Sequence, residues 1–310
     1  MDRRRGTGRP AAKGGGVVLG KKRELRGSLL LLMTAMIWGA AFVAQSAGMD
    51  YIGPFTFNGL RMILGALVLL PFILARRRGQ AQTARPDRGR KPLILGGLLC
   101  GVALFAGSTL QQIGIMGTTA GKAGFITAMY VVMVPVFALF LGHRQKWLLW
   151  VSVALSAVGM YFLCVNGSVS ISRGDAMVFA GAVGFAVHIL LIDHFSPQVD
   201  GVKLSCLQFF VSGVLGIVCM FLFEDPQLTQ IFAAWLPLLY AGVLSCGLAY
   251  TLQILGQKDT DPTVASLILC LEAVFSVVFS WLLLGEVLTA RELFGCVLIF
   301  VAILLAQLKK

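Results

Sequence analysis

The chain has 310 residues, of which 57% are hydrophobic and 13% charged, and its net charge is +12. A soluble domain of that length needs far more charge to cover its surface, so the composition excludes an ordinary soluble globular protein. The cations lie in short segments between long apolar runs rather than on one folded face, which argues against a nucleic-acid partner and reads as membrane topology.

Residues 1–27 form a basic, glycine-rich lead with nine Lys and Arg and no apolar period, expected to be a disordered cytoplasmic segment. A basic lead before an apolar run also fits a signal peptide. The run over 28–47 is longer than a usual h-region and further runs follow, so it is read as an uncleaved first helix. Each apolar run approaches the roughly 20 residues that a helix needs to cross about 30 Å of hydrocarbon. Ten spans are predicted, over 28–47, 55–75, 93–113, 121–141, 147–165, 174–193, 204–223, 234–256, 263–284 and 292–308. The longest connection, between the second and third spans, carries Arg76, Arg77, Arg78, Arg85, Arg88, Arg90 and Lys91. The seven cysteines all sit in apolar runs and form no Cys-x-x-Cys pair, so neither a disulfide framework nor a zinc site is expected.

With ten spans, 22 of the 26 Lys and Arg fall on the side of the N-terminus. The opposite side holds only Lys122, Arg173 and Arg291. The positive-inside rule then places both termini in the cytoplasm of a multi-pass plasma-membrane protein.

The chain also repeats itself. Thr109-Leu110-Gln111, Gly114 and Thr118 recur 142 residues later as Thr251-Leu252-Gln253, Gly256 and Thr260, and Ala123 then matches Ala265. Arg61 in the second span falls opposite Gln208 in the seventh. Five spans per copy is an odd number, so the second copy is inserted upside down, a plan that recurs in secondary transporters with the site between the halves. The expected fold is therefore an all-α integral membrane protein, ten transmembrane helices as two inverted five-helix repeats, 28–165 and 174–308.

Ala35-Met36-Ile37-Trp38-Gly39 with Phe42, Leu60-Arg61 with Gly65-Ala66, Leu284-Gly285-Glu286 with Leu288-Thr289, and Gly295 opening the last span make up a combination that resembles the EamA family of the drug/metabolite transporter superfamily. The resemblance covers about 28–308. It implies ten helices with both termini inside, a central cavity between the repeats, and alternating access for small metabolites, with many relatives regarded as exporters of amino acids or related compounds. One departure stands out: where the family's fourth helix often ends in Gly-Glu, this chain reads Gly142-His143-Arg144, and only the second copy keeps the acid, as Glu286.

Ionisable side chains inside spans cost about 2.5–3.5 kcal/mol each at mid-bilayer, so they mark candidate positions. Glu272 lies near the middle of the ninth span. Hydrocarbon favours the neutral form of a carboxyl, which makes Glu272 a candidate proton carrier or a ligand for a substrate amine; a protonated structural acid is the other reading. Arg61 lies about 9 Å inside the second span and is read as a ligand for a substrate carboxylate or as a helix-locking or snorkelling cation. Lys122 opens the fourth span on the outer side. His188, in the sixth span, is a helix contact or a proton relay. Trp38, Gln45, Gln111, Gln112, Tyr130, Gln208, Tyr250 and Gln253 are polar or aromatic at interior depth, and Gln111 and Gln253 are related by the repeat. Asn166-Gly167-Ser168 is a glycosylation-type triplet or a chance turn. No P-loop, His-Glu-x-x-His, dinucleotide fingerprint or Gly-x-Ser-x-Gly occurs.

These features point to a secondary transporter, a small-molecule exporter with amino acids or related compounds favoured, carrying no cofactor or metal. Its setting is the lipid bilayer, with proton coupling as a candidate drive and a monomer or homodimer as the assembly. A multidrug exporter of cationic compounds is the alternative. An integral-membrane lipid-modifying enzyme built on Asp193 and His194 is the reading from another class.

Overall fold

The computed structural model describes residues 13–79, 90–118, 120–142, 145–164, 172–284 and 289–307. Among the described residues every regular element is helical. In chain order these are α1 (Lys13–Met49), α2 (Pro54–Gly79), α3 (Arg90–Ile115), α4 (Ala120–Ala128), α5 (Tyr130–Phe140), α6 (Trp147–Cys164), α7 (Arg173–Phe195), α8 (Gly201–Phe223), α9 (Leu228–Ala233) and α10 (Trp235–Leu239). A π-helical segment, Tyr240–Tyr250, comes next, followed by α11 (Thr251–Gln257), α12 (Pro262–Leu269), α13 (Leu271–Leu284) and α14 (Ala290–Gln307).

Six stretches are long and apolar enough to cross a membrane: Arg23–Met49, Pro54–Ala75, Arg90–Ile115, Arg173–Phe195, Gly201–Phe223 and Trp235–Gln257. Four shorter apolar helices accompany them, Ile126–Phe140, Trp147–Phe162, Pro262–Ser276 and Leu293–Ala306. The lead departs from its expected disorder, because α1 already begins at Lys13. Tertiary contact supports the helix at Gly27: a Cβ there would lie 2.6 Å from Thr260 Oγ1 and 2.8 Å from Gly256 O. Residues 1–12 and the Asn166-Gly167-Ser168 triplet lie outside the described residues.

The two halves pack on each other rather than each on itself. α2 lies against α8, α3 against α7 and α8, α1 against α13, and α6 against α14. Without a hydrophobic drive between helices in lipid, close backbone approach through small residues does this work. Gly59 of α2 and Gly216 of α8 meet with no room for a side chain, since a Cβ on Gly216 would lie 2.7 Å from Gly59 Cα. Positions related by the repeat make similar contacts. A Cβ on Gly114 of α3 would lie 2.7 Å from Gly174 O of α7, and one on its counterpart Gly256 of α11 would lie 2.9 Å from Gly27 O of α1.

Two spans are interrupted one residue out of the 142-residue register of the repeat. Met129 separates α4 from α5 and Cys270 separates α12 from α13. Tyr130 therefore opens α5, while Glu272 sits in the first turn of α13.

Candidate functional site

Nine of the twelve candidate positions read from the sequence line one central cavity of about 40 Å³, room for roughly three waters. Both halves contribute to it. Trp38 comes from α1, Arg61 from α2, Gln111 from α3 and Tyr130 from α5; His188 comes from α7, Tyr250 from the π-helical segment, Gln253 from α11 and Glu272 from α13.

The centre of the site is a contact between the two copies. Tyr130 and Glu272 are 142 residues apart, the offset of the repeat, and the Tyr130 hydroxyl donates to Glu272 Oε1 at 3.0 Å. Two positions that the repeat makes equivalent thus bond to each other. The Glu272 carboxyl is 4% exposed, and the described residues place no cation in ion-pair contact with it.

A polar pair joins the first two helices of each copy. In the first copy Arg61 donates from a terminal guanidinium nitrogen to Gln45 Oε1 at 3.0 Å. In the second, His188 Nε2 and Gln208 Oε1 are 2.9 Å apart. Arg61 is 2% exposed, its Nε has no hydrogen-bond partner, and the guanidinium stacks over Phe57 at 5.5 Å. A guanidinium buried with one amide and one ring, and no carboxylate beside it, is an incompletely compensated charge.

Aromatic rings close the remaining wall. Trp38 and Tyr250 bring one ring from each half to a centroid separation of 4.5 Å. Tyr250 also meets His188 at 5.9 Å and Phe209 at 5.8 Å, both edge-on. Trp38 Nε1 is buried and has no hydrogen-bond partner.

Gln45 also lines the cavity, whereas Gln112 and Gln208 stand behind the lining: Gln112 donates to Gln45 O and Gln208 bonds His188. Sequence reasoning missed Thr127, Ser245 and Phe185, which share the wall. Hydroxyls and a phenylalanine are common in spans, and nothing in their spacing marks these three. Lys122 and Glu286 lie outside the residues whose side chains are described. Asp193 and His194 sit at the C-terminal end of α7, where the His194 ring packs edge-on against Phe195 at 4.8 Å.

Comparison with known proteins bears on what such a cavity serves. The EamA-like transporter family model matches the chain twice, over residues 25–165 and 172–308. An uncharacterised transporter of Archaeoglobus fulgidus is 31% identical over 296 residues, covering 93% of this chain and 87% of the relative. The uncharacterised transporter YoaV of Bacillus subtilis is 23% identical over 279 residues, covering 87% and 92%. These names indicate transport rather than catalysis. A crystal structure superposes with a TM-score of 0.75 at 18% identity, over 91% of this chain and 96% of that one, and carries the fold alone.

Proposed function

The chain belongs to the EamA-like transporter family, with one family unit in each half, and from that premise we propose that it exports a small zwitterionic metabolite, an amino acid or a related compound, by alternating access at the central cavity. The observation that carries the substrate class is a pair of incomplete charges lining one cavity. Arg61 is buried without a carboxylate and Glu272 is buried without a cation. A solute with a carboxylate and an ammonium group completes both, whereas a simple cation leaves Arg61 opposing it.

In this reading the chain crosses ten times; six helices long and apolar enough to cross support it, and the four shorter apolar helices supply the remaining crossings. They divide into two inverted units over 28–165 and 174–308, with both termini in the cytoplasm of a plasma-membrane protein that works as a monomer or homodimer. The contact between Tyr130 and Glu272 ties the two units at the midplane. The chain carries no P-loop, so the drive is a gradient, and Glu272 carries the coupling proton. Its alternation between proton and solute ammonium is the exchange that links the two fluxes. The export direction rests on the family.

The aromatic wall of Trp38, Tyr130 and Tyr250 supports a second reading, a cationic drug held by Glu272 and cation–π contact. Reconstitution in liposomes separates the two. Preloaded, labelled neutral amino acids are expected to exchange with outside solute and to accumulate against a proton gradient. Uptake confined to lipophilic cations sinks the zwitterion reading, and movement of neither sinks the transport assignment of the cavity. Glu272→Gln is expected to abolish dependence on the proton gradient, and an unchanged dependence removes Glu272 from coupling.

A further inference from the structure

Gln111 and Gln253 occupy one position in the two copies, 142 residues apart, and both line the cavity. Their surroundings differ. Gln111 is 5% exposed, and its Nε2 donates to Thr127 Oγ1 at 2.9 Å. The counterpart of Thr127 is Leu269, a fully buried aliphatic residue with no hydroxyl to offer. Gln253 is 1% exposed and its Oε1 has no hydrogen-bond partner. A bonded buried amide stabilises the fold, whereas an unbonded one costs its desolvation with nothing in return. The second copy therefore keeps the amide where the fold gains nothing from it, at the wall of the transport cavity.

We propose that the two glutamines have divided their roles. Gln111 is a strut between α3 and α4. Gln253 is a solute-binding side chain whose amide takes the hydrogen-bonding group of the transported molecule, an ammonium or hydroxyl donor delivered to Oε1. This rests on the zwitterion reading for the class of ligand, and it adds a neutral contact from the second copy to Arg61 of the first. A solute held from both copies is released when the copies part, so the same contact that binds it also reports which side is open.

The test uses the purified full-length protein in detergent, as wild type and as Gln111→Ala, Thr127→Val and Gln253→Ala. Thermal melts are run alone and with glycine, L-alanine, L-leucine or L-phenylalanine. Without ligand, Gln111→Ala and Thr127→Val are expected to lower Tm, while Gln253→Ala leaves Tm unchanged or raised. With the probe that raises the wild-type Tm most, Gln253→Ala is expected to weaken apparent affinity at least tenfold more than Gln111→Ala does. A ligand-free loss in Gln253→Ala as large as that in Gln111→Ala overturns the division of roles, whatever the solute. Equal affinity in wild type and Gln253→Ala overturns the ligand role. If none of the four probes shifts the wild type, the zwitterion reading fails, and the ligand-free melts still decide between strut and unbonded amide.

Discussion

Tyr130 and Glu272 hold each other across the axis with one hydrogen bond. Tyr130→Phe keeps the ring and removes that bond, and it is expected to cost about 1–3 kcal/mol, read as a lower Tm in detergent. Glu224 is a second polar residue that joins the halves. It ends α8, and its carboxylate accepts from Phe55 N and Thr56 N at 2.8 Å each and from the Thr56 hydroxyl at 2.6 Å, capping α2. A carboxylate at a helix N-terminus satisfies orphan N–H groups and meets the positive end of the dipole. Glu224→Ala is expected to cost about 1–2 kcal/mol. Gly53 packs against that same carboxylate, so Gly53→Ala evicts it, and the double variant is expected to lose less than the two single losses together. A thermal-melt cycle checks both statements. The depth of Arg61 and Glu272 was legible from their place in apolar runs. Their partners were not, because Gln45 and Tyr130 look like many other interior polar residues until the helices are set side by side.

The two copies differ most at the level of helices. Tyr240–Tyr250 is π-helical, whereas the matching stretch of α3 in the first copy is regular α-helix. Pro237 precedes the π segment. α1 ties it at both ends, with the Tyr240 hydroxyl donating to Ile37 O at 2.9 Å and Thr34 Oγ1 donating to Ala249 O at 3.0 Å. π-helical turns are rare and occur at functional sites, and this one ends on Tyr250 in the cavity wall. Its backbone bonds are expected to open more readily than those of α3, so amides of 240–250 exchange hydrogen faster than those of 98–108 in a deuterium-exchange measurement. The glycine contacts make a paired prediction. Gly114→Ala and Gly256→Ala each force a methyl group against the backbone of the opposite half, and each is expected to lower stability by about 1–3 kcal/mol. Equal losses at the two positions follow if the repeat sets these contacts; a silent Gly256→Ala contradicts it.

For the molecule as a whole, orientation is the property most directly written in the chain. The count of Lys and Arg places Asp225, after α8, outside and Lys258, after α11, inside. Both are exposed. A cysteine at 225 is expected to react with a membrane-impermeant maleimide in intact cells, and one at 258 only after permeabilisation. Class and repeat were readable because hydrocarbon imposes long apolar runs, charge is excluded from them, and a 142-residue offset survives as letters; the orientation is the expectation that these two cysteines test. The interruptions at Met129 and Cys270 and the π segment left no comparable mark, since each depends on how one helix is braced by the next. The candidate residues that line the cavity were each found from depth and polarity, but their convergence on one cavity was not contained in those properties. Depth locates a side chain along the membrane normal, and only packing turns it toward the axis. The division between Gln111 and Gln253 has the same origin. The repeat makes them equal as residues, and a threonine on one side and a leucine on the other make them different.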